Sequence, residues 1–403
     1  MKKQRSGVGF LVVVECIALV ATLIFALIRP LQTEDKESGK KPSSENVQGE
    51  VDDTQPIESV DSQNTESNPS GNEEIIVKTE ERIIFSEAVE SKLASMTAEE
   101  LAAQVFVITP EQLTGVEDVT ASGNTTKTAY GQYPVGGVVY SQRNFQNKEQ
   151  TRIMLKKLQE YSQARIQLPL FLGVAEAGGA EQSPLATSNR YDVVEMTTEN
   201  VADSAQSIST YMKEQRFNMN LANVPVNTAI ASEDTAQNVQ SAGQWYQSLE
   251  AAGMVSTVQF MPEDVTDGVS QRSYEQMKED ELLVCKAAID AGCGCVMLCN
   301  AKIPSLTGQE DLVYSVSANV VSMFRNNLEY NGIIMTDSLE NIEGVSSADL
   351  AVSALNAGVD IVYKPSDFKG AYAAVVEAIN SGKISEDRIH NAVGRILSAK
   401  EGI

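Results

Sequence analysis

The chain has 403 residues, with 55 acidic and 31 basic side chains, and its formal charge of −24 opposes nucleic-acid binding, which needs a basic face for phosphates. It holds a single histidine, which excludes zinc sites of the H-E-x-x-H kind; any histidine-dependent chemistry must use His390.

Residues 1–6 form a basic stub with Lys2, Lys3 and Arg5. Gly7 to Ile28 is then an apolar stretch broken only by Glu15 and Thr22. About 20 apolar residues span a bilayer as a helix, so 7–28 is expected to be a single-pass membrane anchor. The stretch is longer than the core of a cleaved signal peptide, and no A-x-A-like site follows it. Basic residues ahead of it favour a cytoplasmic N-terminus and an extracytoplasmic bulk. A glutamate in such a helix, Glu15, is either a protonated or snorkelling residue tolerated in a strong anchor or a contact with another membrane helix.

Residues 29–72 read as linker. From Thr33 to Asn72 the chain carries ten acids and three lysines with few large apolar residues. Such a segment buries too little surface to offset its ordering entropy, so disorder is expected. The globular part is 73–403.

Eight short apolar runs bounded by turn residues follow: Val105–Ile108, Gly137–Tyr140, Leu168–Val174, Phe217–Val224, Met254–Phe260, Gly294–Cys299, Gly332–Thr336 and Asp360–Tyr363. Continuous apolar runs of this length fit strands buried on both faces, as in parallel sheets. Helical spacing appears between them, in Lys148–Ala164, Ser317–Leu328, Ser347–Ala357 and Gly370–Ile379. Eight strand–helix units predict an α/β fold of the (β/α)₈ TIM-type barrel class. No G-x-G-x-x-G follows the first run, which removes the dinucleotide-fold argument.

Barrel function sits at the C-terminal ends of strands. The residues there are Glu176, Asn223, Asn227, Glu263, Asp264, Asp267, Asn300, Asp337 and Lys364. This mouth is rich in carboxylates and amides, and paired carboxylates are how most glycosidases cleave sugars.

Cys285, Cys293, Cys295 and Cys299 lie within 15 residues. The last three share strand parity, but no histidine stands near them, so buried thiols are expected rather than a metal site. His390 is expected to be a packing or surface residue on the last helix.

In order along the chain, Met96-Thr97-Ala98-Glu99-Glu100-Leu101, Val135-Gly136-Gly137-Val138-Val139, Asn218-Met219-Asn220-Leu221-Ala222, Gly332-Ile333-Ile334-Met335-Thr336-Asp337-Ser338-Leu339 and Ala357-Gly358-Val359-Asp360 resemble glycoside hydrolase family 3. Ile384-Ser385-Glu386-Asp387-Arg388-Ile389 through Leu397 closes the match. The pattern is most similar to the β-N-acetylhexosaminidase branch. The resemblance implies a barrel, a retaining mechanism with Asp337 as nucleophile, a wall glycan or peptidoglycan fragment as substrate, and no cofactor or metal. It names no protein partner.

Several positions depart from the family pattern. The K-H-F-P-G-H-G segment reads Gln259-Phe260-Met261-Pro262-Glu263-Asp264-Val265, and the D-x-H that supplies the general acid/base falls on Ser270-Gln271-Arg272. D-x-E-G-G-R reads Ala175-Glu176-Ala177-Gly178-Gly179-Ala180, and a histidine position holds Asn300. Glu176, Gln259 and Asn300 are therefore the candidate substrate-binding residues. Asp264, or alternatively Glu263, is the candidate substitute acid/base, which requires a raised pKa beside Asp337. Two readings stay open: a retaining β-N-acetylhexosaminidase, or a catalytically silent relative that binds glycan or a partner protein through the mouth.

Overall fold

Each of the eight apolar runs contains a strand: β1 Phe106–Ile108, β2 Gly137–Val139, β3 Phe171–Val174, β4 Met219–Asn220, β5 Val255–Phe260, β6 Cys295–Leu298, β7 Ile333–Thr336 and β8 Val362–Tyr363. The computed structural model describes residues 80–178, 184–185, 199–223, 235–342 and 344–403. The expected stub, anchor and linker over 1–72 lie outside the described residues, as does Asn227. Among the described residues no helix is long and apolar enough to cross a membrane.

The strands are parallel and neighbour one another in the order β7-β6-β5-β4-β3-β2-β1-β8. The seam between β7 and β8 rests on one parallel bridge, Met335 to Ile361. There the Thr336 amide donates to the Ile361 carbonyl at 3.0 Å, and the Ile361 amide to the Ile334 carbonyl at 3.1 Å. The result is a TIM-type barrel, as the alternation of apolar runs and helical patterns predicted.

Every residue of β1, β2, β3, β6 and β7 is buried. This is why these strands read as unbroken apolar runs rather than alternating ones. Gly136 sits where the chain enters β2; a Cβ there would lie 2.0 Å from the Gln104 carbonyl oxygen, so only glycine fits. Helices Lys148–Ile166, Val201–Glu214, Thr235–Ala251, Glu281–Asp290, Ser347–Asn356 and Phe368–Asn380 follow β2, β3, β4, β5, β7 and β8. Side-chain caps start several of them: Asn147 accepts from the Gln150 amide, Ser346 from Asp349 and Ser385 from Arg388.

The expected helix over Ser317–Leu328 is two pieces. An α-helical Ala318–Ser322 passes into a π-helical turn, Met323–Asn327. The wider turn carries Arg325, whose guanidinium donates to the carbonyls of Tyr330 at 3.0 Å and Gly332 at 2.6 Å and pairs with Asp360 at 2.6 Å. Asp360 is fully buried and also receives Arg388 at 2.5 Å, Arg395 at 3.2 Å and the Ile334 amide at 3.0 Å. Burial raises its pKa, but the three guanidiniums outweigh that and hold the carboxyl below its ordinary range.

Lys400 ends the last helix, Glu386–Lys400, and is 2% exposed. Its ammonium donates to Gln104 Oε1 at 2.7 Å and lies 5.1 Å from the centre of the Phe171 ring. Burial pushes its pKa down to about 7. The folded state therefore binds fewer protons than the unfolded state between that pH and the ordinary lysine value near 10.4. The penalty on folding is full below the lowered pKa and fades as pH rises through this window. Stability from this group should increase by at most about 1.4 kcal/mol per pH unit. Denaturant unfolding at pH 7 and pH 9.5 should show the rise in the native protein and a flatter profile in Lys400→Met.

Candidate functional site

The mouth is organised around Asp337, which follows β7. Its amide donates to the Leu298 carbonyl at 2.8 Å, which fixes the backbone against β6. One carboxylate oxygen accepts the Ser338 amide at 2.7 Å, and the other accepts Gln259 Nε2 at 3.0 Å. Gln259 belongs to β5, and β6 stands between β5 and β7. A bond that skips a strand must pass over the barrel interior, so both side chains face inward. Asn223, just beyond β4, brackets Gln259 by accepting from its amide at 2.5 Å and donating to its side-chain carbonyl at 3.4 Å.

Two further groups complete the cluster. Asn300 donates to the Ser338 carbonyl and accepts from the Ser315 hydroxyl, both at 2.7 Å. Lys364, held in a left-handed backbone conformation at φ 45°, pairs with Glu340 at 2.6 Å. The Ser338 hydroxyl donates to the same Glu340 carboxylate at 3.2 Å. Burial raises the pKa of Asp337 above its ordinary value; the Ser338 and Gln259 donors and the charge of Lys364 offset only part of the shift.

Asn223, Gln259 and Asp337 thus meet directly, Asn300 joins them through Ser338, and Lys364 joins through Glu340 and Ser338. The remaining candidates occupy other networks. Glu176 is buried beside β3, where its carboxylate accepts the Gly178 amide at 2.9 Å and the Leu185 amide at 3.4 Å. The buried Asn220 side chain brackets the Glu176 backbone, accepting from its N–H at 3.0 Å and donating to its carbonyl at 2.9 Å. This pattern holds a loop in shape.

Asp264 is exposed and closes its own loop. Its carboxylate accepts the Ser270 hydroxyl at 2.5 Å and the Gln271 amide at 3.1 Å. The Ser270 bond, aided by Gln271, holds the carboxyl below its ordinary range, opposite to the direction that a general acid needs. Glu263 is exposed, and its amide donates to Glu281 at 3.1 Å. Arg272, at the position of the family's histidine, pairs with Asp280 at 2.5 Å and Glu281 at 3.0 Å. Phe260 is fully buried, stacked on Tyr314 at 5.1 Å and edge-on to Phe324 at 6.0 Å. Strand alternation explains it: Gln259 faces inward, so Phe260 faces the helices.

Cys285, Cys293, Cys295 and Cys299 are buried free thiols. Among the described residues no group of three or more histidine, cysteine or acidic side chains is placed to hold a metal ion. His390 is buried on the last helix, 3.0 Å from Glu90 and 5.6 Å from the Phe85 ring centre, so it packs as expected and stands apart from the mouth. The sequence reading passed over Glu340. An acid three residues past Asp337 in the same strand-end loop was the available signal.

The sequence matches the glycosyl hydrolase family 3 N-terminal domain over residues 88–399. None of the curated proteins matches it. Among solved structures it is similar to a glycoside hydrolase family 3 β-N-acetylglucosaminidase from Paenibacillus, at TM-score 0.68 and 22% identity over 76% of this chain and 63% of that one. A β-N-acetylhexosaminidase from Beutenbergia cavernae gives TM-score 0.63 and 20% identity over 76% of this chain and 99% of that one. The β-N-acetylglucosaminidase from Thermotoga maritima gives 0.63 and 12% over 75% and 67%. The chain spans less than two thirds of the Paenibacillus enzyme and 39% of a fungal multi-domain relative. At these identities the likeness is one of fold. The match over 88–399 decides membership: the chain belongs to glycosyl hydrolase family 3.

Proposed function

We propose that the barrel mouth binds a glycan of the N-acetylhexosamine class through Asp337, Gln259, Asn223 and Asn300 without cleaving it. The observation that carries this reading is the state of Asp264. A retaining mechanism needs a protonated acid to release the leaving oxygen. Asp264 is held ionised by Ser270 and Gln271, and Glu340 is engaged by Lys364. Loss of a general acid alone costs about 10²–10⁴ in rate. The sugar class follows from the names of the similar enzymes, which are β-N-acetylglucosaminidases and hexosaminidases.

Retaining hydrolysis is the second reading. It is favoured by Asp337 itself, which stands at the family's nucleophile position and faces the barrel interior. A membrane location with the barrel outside the cytoplasm also belongs to the proposal, supported by the apolar run over 7–28 and the basic stub before it. Alkaline carbonate extraction should leave the full-length protein in the membrane pellet, and deletion of 1–28 should release it. Recovery of the intact chain in the supernatant would remove the anchor.

Two measurements test the site. The full-length protein, offered a chromogenic N-acetyl-β-glucosaminide, should show no turnover beyond that of Asp337→Ala. Calorimetric binding of N-acetylglucosamine oligosaccharides should weaken about 5- to 150-fold in Gln259→Leu, given about 1–3 kcal/mol for a polar group left unpaired. Turnover abolished by Asp337→Ala overturns the silent reading in favour of hydrolysis. Absence of both turnover and binding sinks both readings.

Asp337 also makes a stability prediction. Its folded pKa is raised, so the folded state holds a proton that the unfolded state releases, and stability falls as pH rises from the ordinary carboxyl value through the raised one. The penalty persists at neutral pH, tempered by partial solvent screening. The melting temperature of Asp337→Asn minus that of the native protein should therefore increase by about 2 °C between pH 3 and pH 7. No increase in that difference would refute the assignment.

A further inference from the structure

Three guanidinium groups converge on the N-terminal face of the barrel, at the end opposite the mouth. Arg325 comes from the π-helical turn, and Arg388 and Arg395 come from the last helix. They meet two carboxylates. Asp360 binds all three, and Glu80 binds Arg388 at 2.5 Å and also Arg395. The group therefore carries one excess positive charge, in a domain that is otherwise strongly acidic.

That excess is buried. The Arg325 and Arg388 side chains are each 10% exposed and that of Arg395 is 4% exposed. The Nε atoms of Arg325 and Arg388 are buried and have no hydrogen-bond partner among the described residues. Arg325 Nε stands 4.0 Å from Glu80, beyond bonding range. Burial and then the neighbouring arginines pull the Arg325 pKa below its ordinary value, despite Asp360. An uncompensated buried cation and an unmade buried hydrogen bond both oppose folding, so a group that keeps both calls for an explanation.

A cleft of about 750 Å³ lies directly on these arginines, with Lys383 and Asn331 also lining it. Glu81 and Asp387 also line it, and Asp387 is offset by Arg82 at 2.9 Å. π-helical turns are uncommon and recur at functional sites, and this one delivers Arg325. We propose that the cleft is an oxyanion site that takes a phosphate-class dianion against the Arg325 and Arg388 side chains that line it, beside Glu80. The chemistry fits: guanidinium N–H groups are the preferred donors to phosphate, and a dianion neutralises the excess charge. Glu80 is its built-in competitor, since its carboxylate already draws on Arg388 and Arg395. The site stands apart from the mouth and is independent of any glycan reading.

Calorimetric titration of the full-length protein with inorganic phosphate, at fixed ionic strength in chloride, tests this. One saturable site is expected. Glu80→Gln removes the competing charge and should tighten phosphate binding about tenfold, whereas Arg388→Gln should weaken it by at least about tenfold. Opposite effects of two substitutions in one cluster do not follow from general destabilisation. A parallel titration with glycerol 3-phosphate separates the sources: tighter binding identifies a phosphomonoester ligand, and weaker binding identifies the free ion. No saturable binding, or equal binding by the native protein and Glu80→Gln, overturns the proposal. Should Arg388→Gln fail to fold, Glu80→Gln decides alone.

Discussion

The barrel depends most on one buried carboxylate, Asp360. At the seam between β7 and β8 the strand ladder shrinks to a single bridge, so backbone pairing alone holds the ring weakly there. Asp360 lies at that seam and binds the Ile334 amide of β7, the π-helical turn through Arg325 and the last helix through Arg388 and Arg395. One side chain thus fastens three other parts of the chain. Removing such a partner leaves several buried cations uncompensated, which generally costs about 3–5 kcal/mol. β7, which Asp360 binds near its start through Ile334, is followed at its other end by Asp337. The seam that Asp360 secures at one face therefore sets where the mouth carboxylate stands at the other.

The mouth is built by mutual satisfaction. Gln259 gives its amide hydrogen to Asp337 and its carbonyl to Asn223, and Asn300 is used at both ends. An arriving sugar must exchange with these bonds rather than fill vacancies. Such exchange suits recognition by hydroxyl and acetamido groups, which can replace amide for amide. It does not by itself supply a proton. The loop after β5, where the family places its acid, instead uses Asp264 to hold Ser270 and Gln271, and Arg272 to hold the next helix.

Strands were legible because burial on both faces writes a continuous apolar run, and each such run contained one. Asp337 was legible because a barrel concentrates function at strand ends and because its motif is intact. Three features were not legible, each for a physical reason. Helical spacing over Ser317–Leu328 has the same apolar pattern in an α-helix and a π-turn, so the switch at Met323 left no mark. Asp264 looked available because its partners, Ser270 and Gln271, are brought back only by the fold of the loop. The arginine cluster joins residues up to 315 positions apart, with Glu80 and Arg395 at its extremes, and no local motif announces a contact of that span.

Asp360, which binds the start of β7 from the segment before β8, and Asp337, which follows the end of β7, also separate structure from function by the sign of one quantity. Asp360 is the more deeply buried, yet its three guanidinium partners hold its pKa below the ordinary range; its ionised form supports the fold. Asp337 is only partly buried and has two neutral donors with one cation nearby, and its pKa is raised; its ionised form opposes the fold. A carboxylate whose ionised form opposes the fold is poor scaffolding. The chain nevertheless keeps an ionisable group facing the barrel interior, with a primary amide and a backbone N–H aimed at its two oxygens. On the proposed glycan reading, the return for that penalty lies in what enters the mouth.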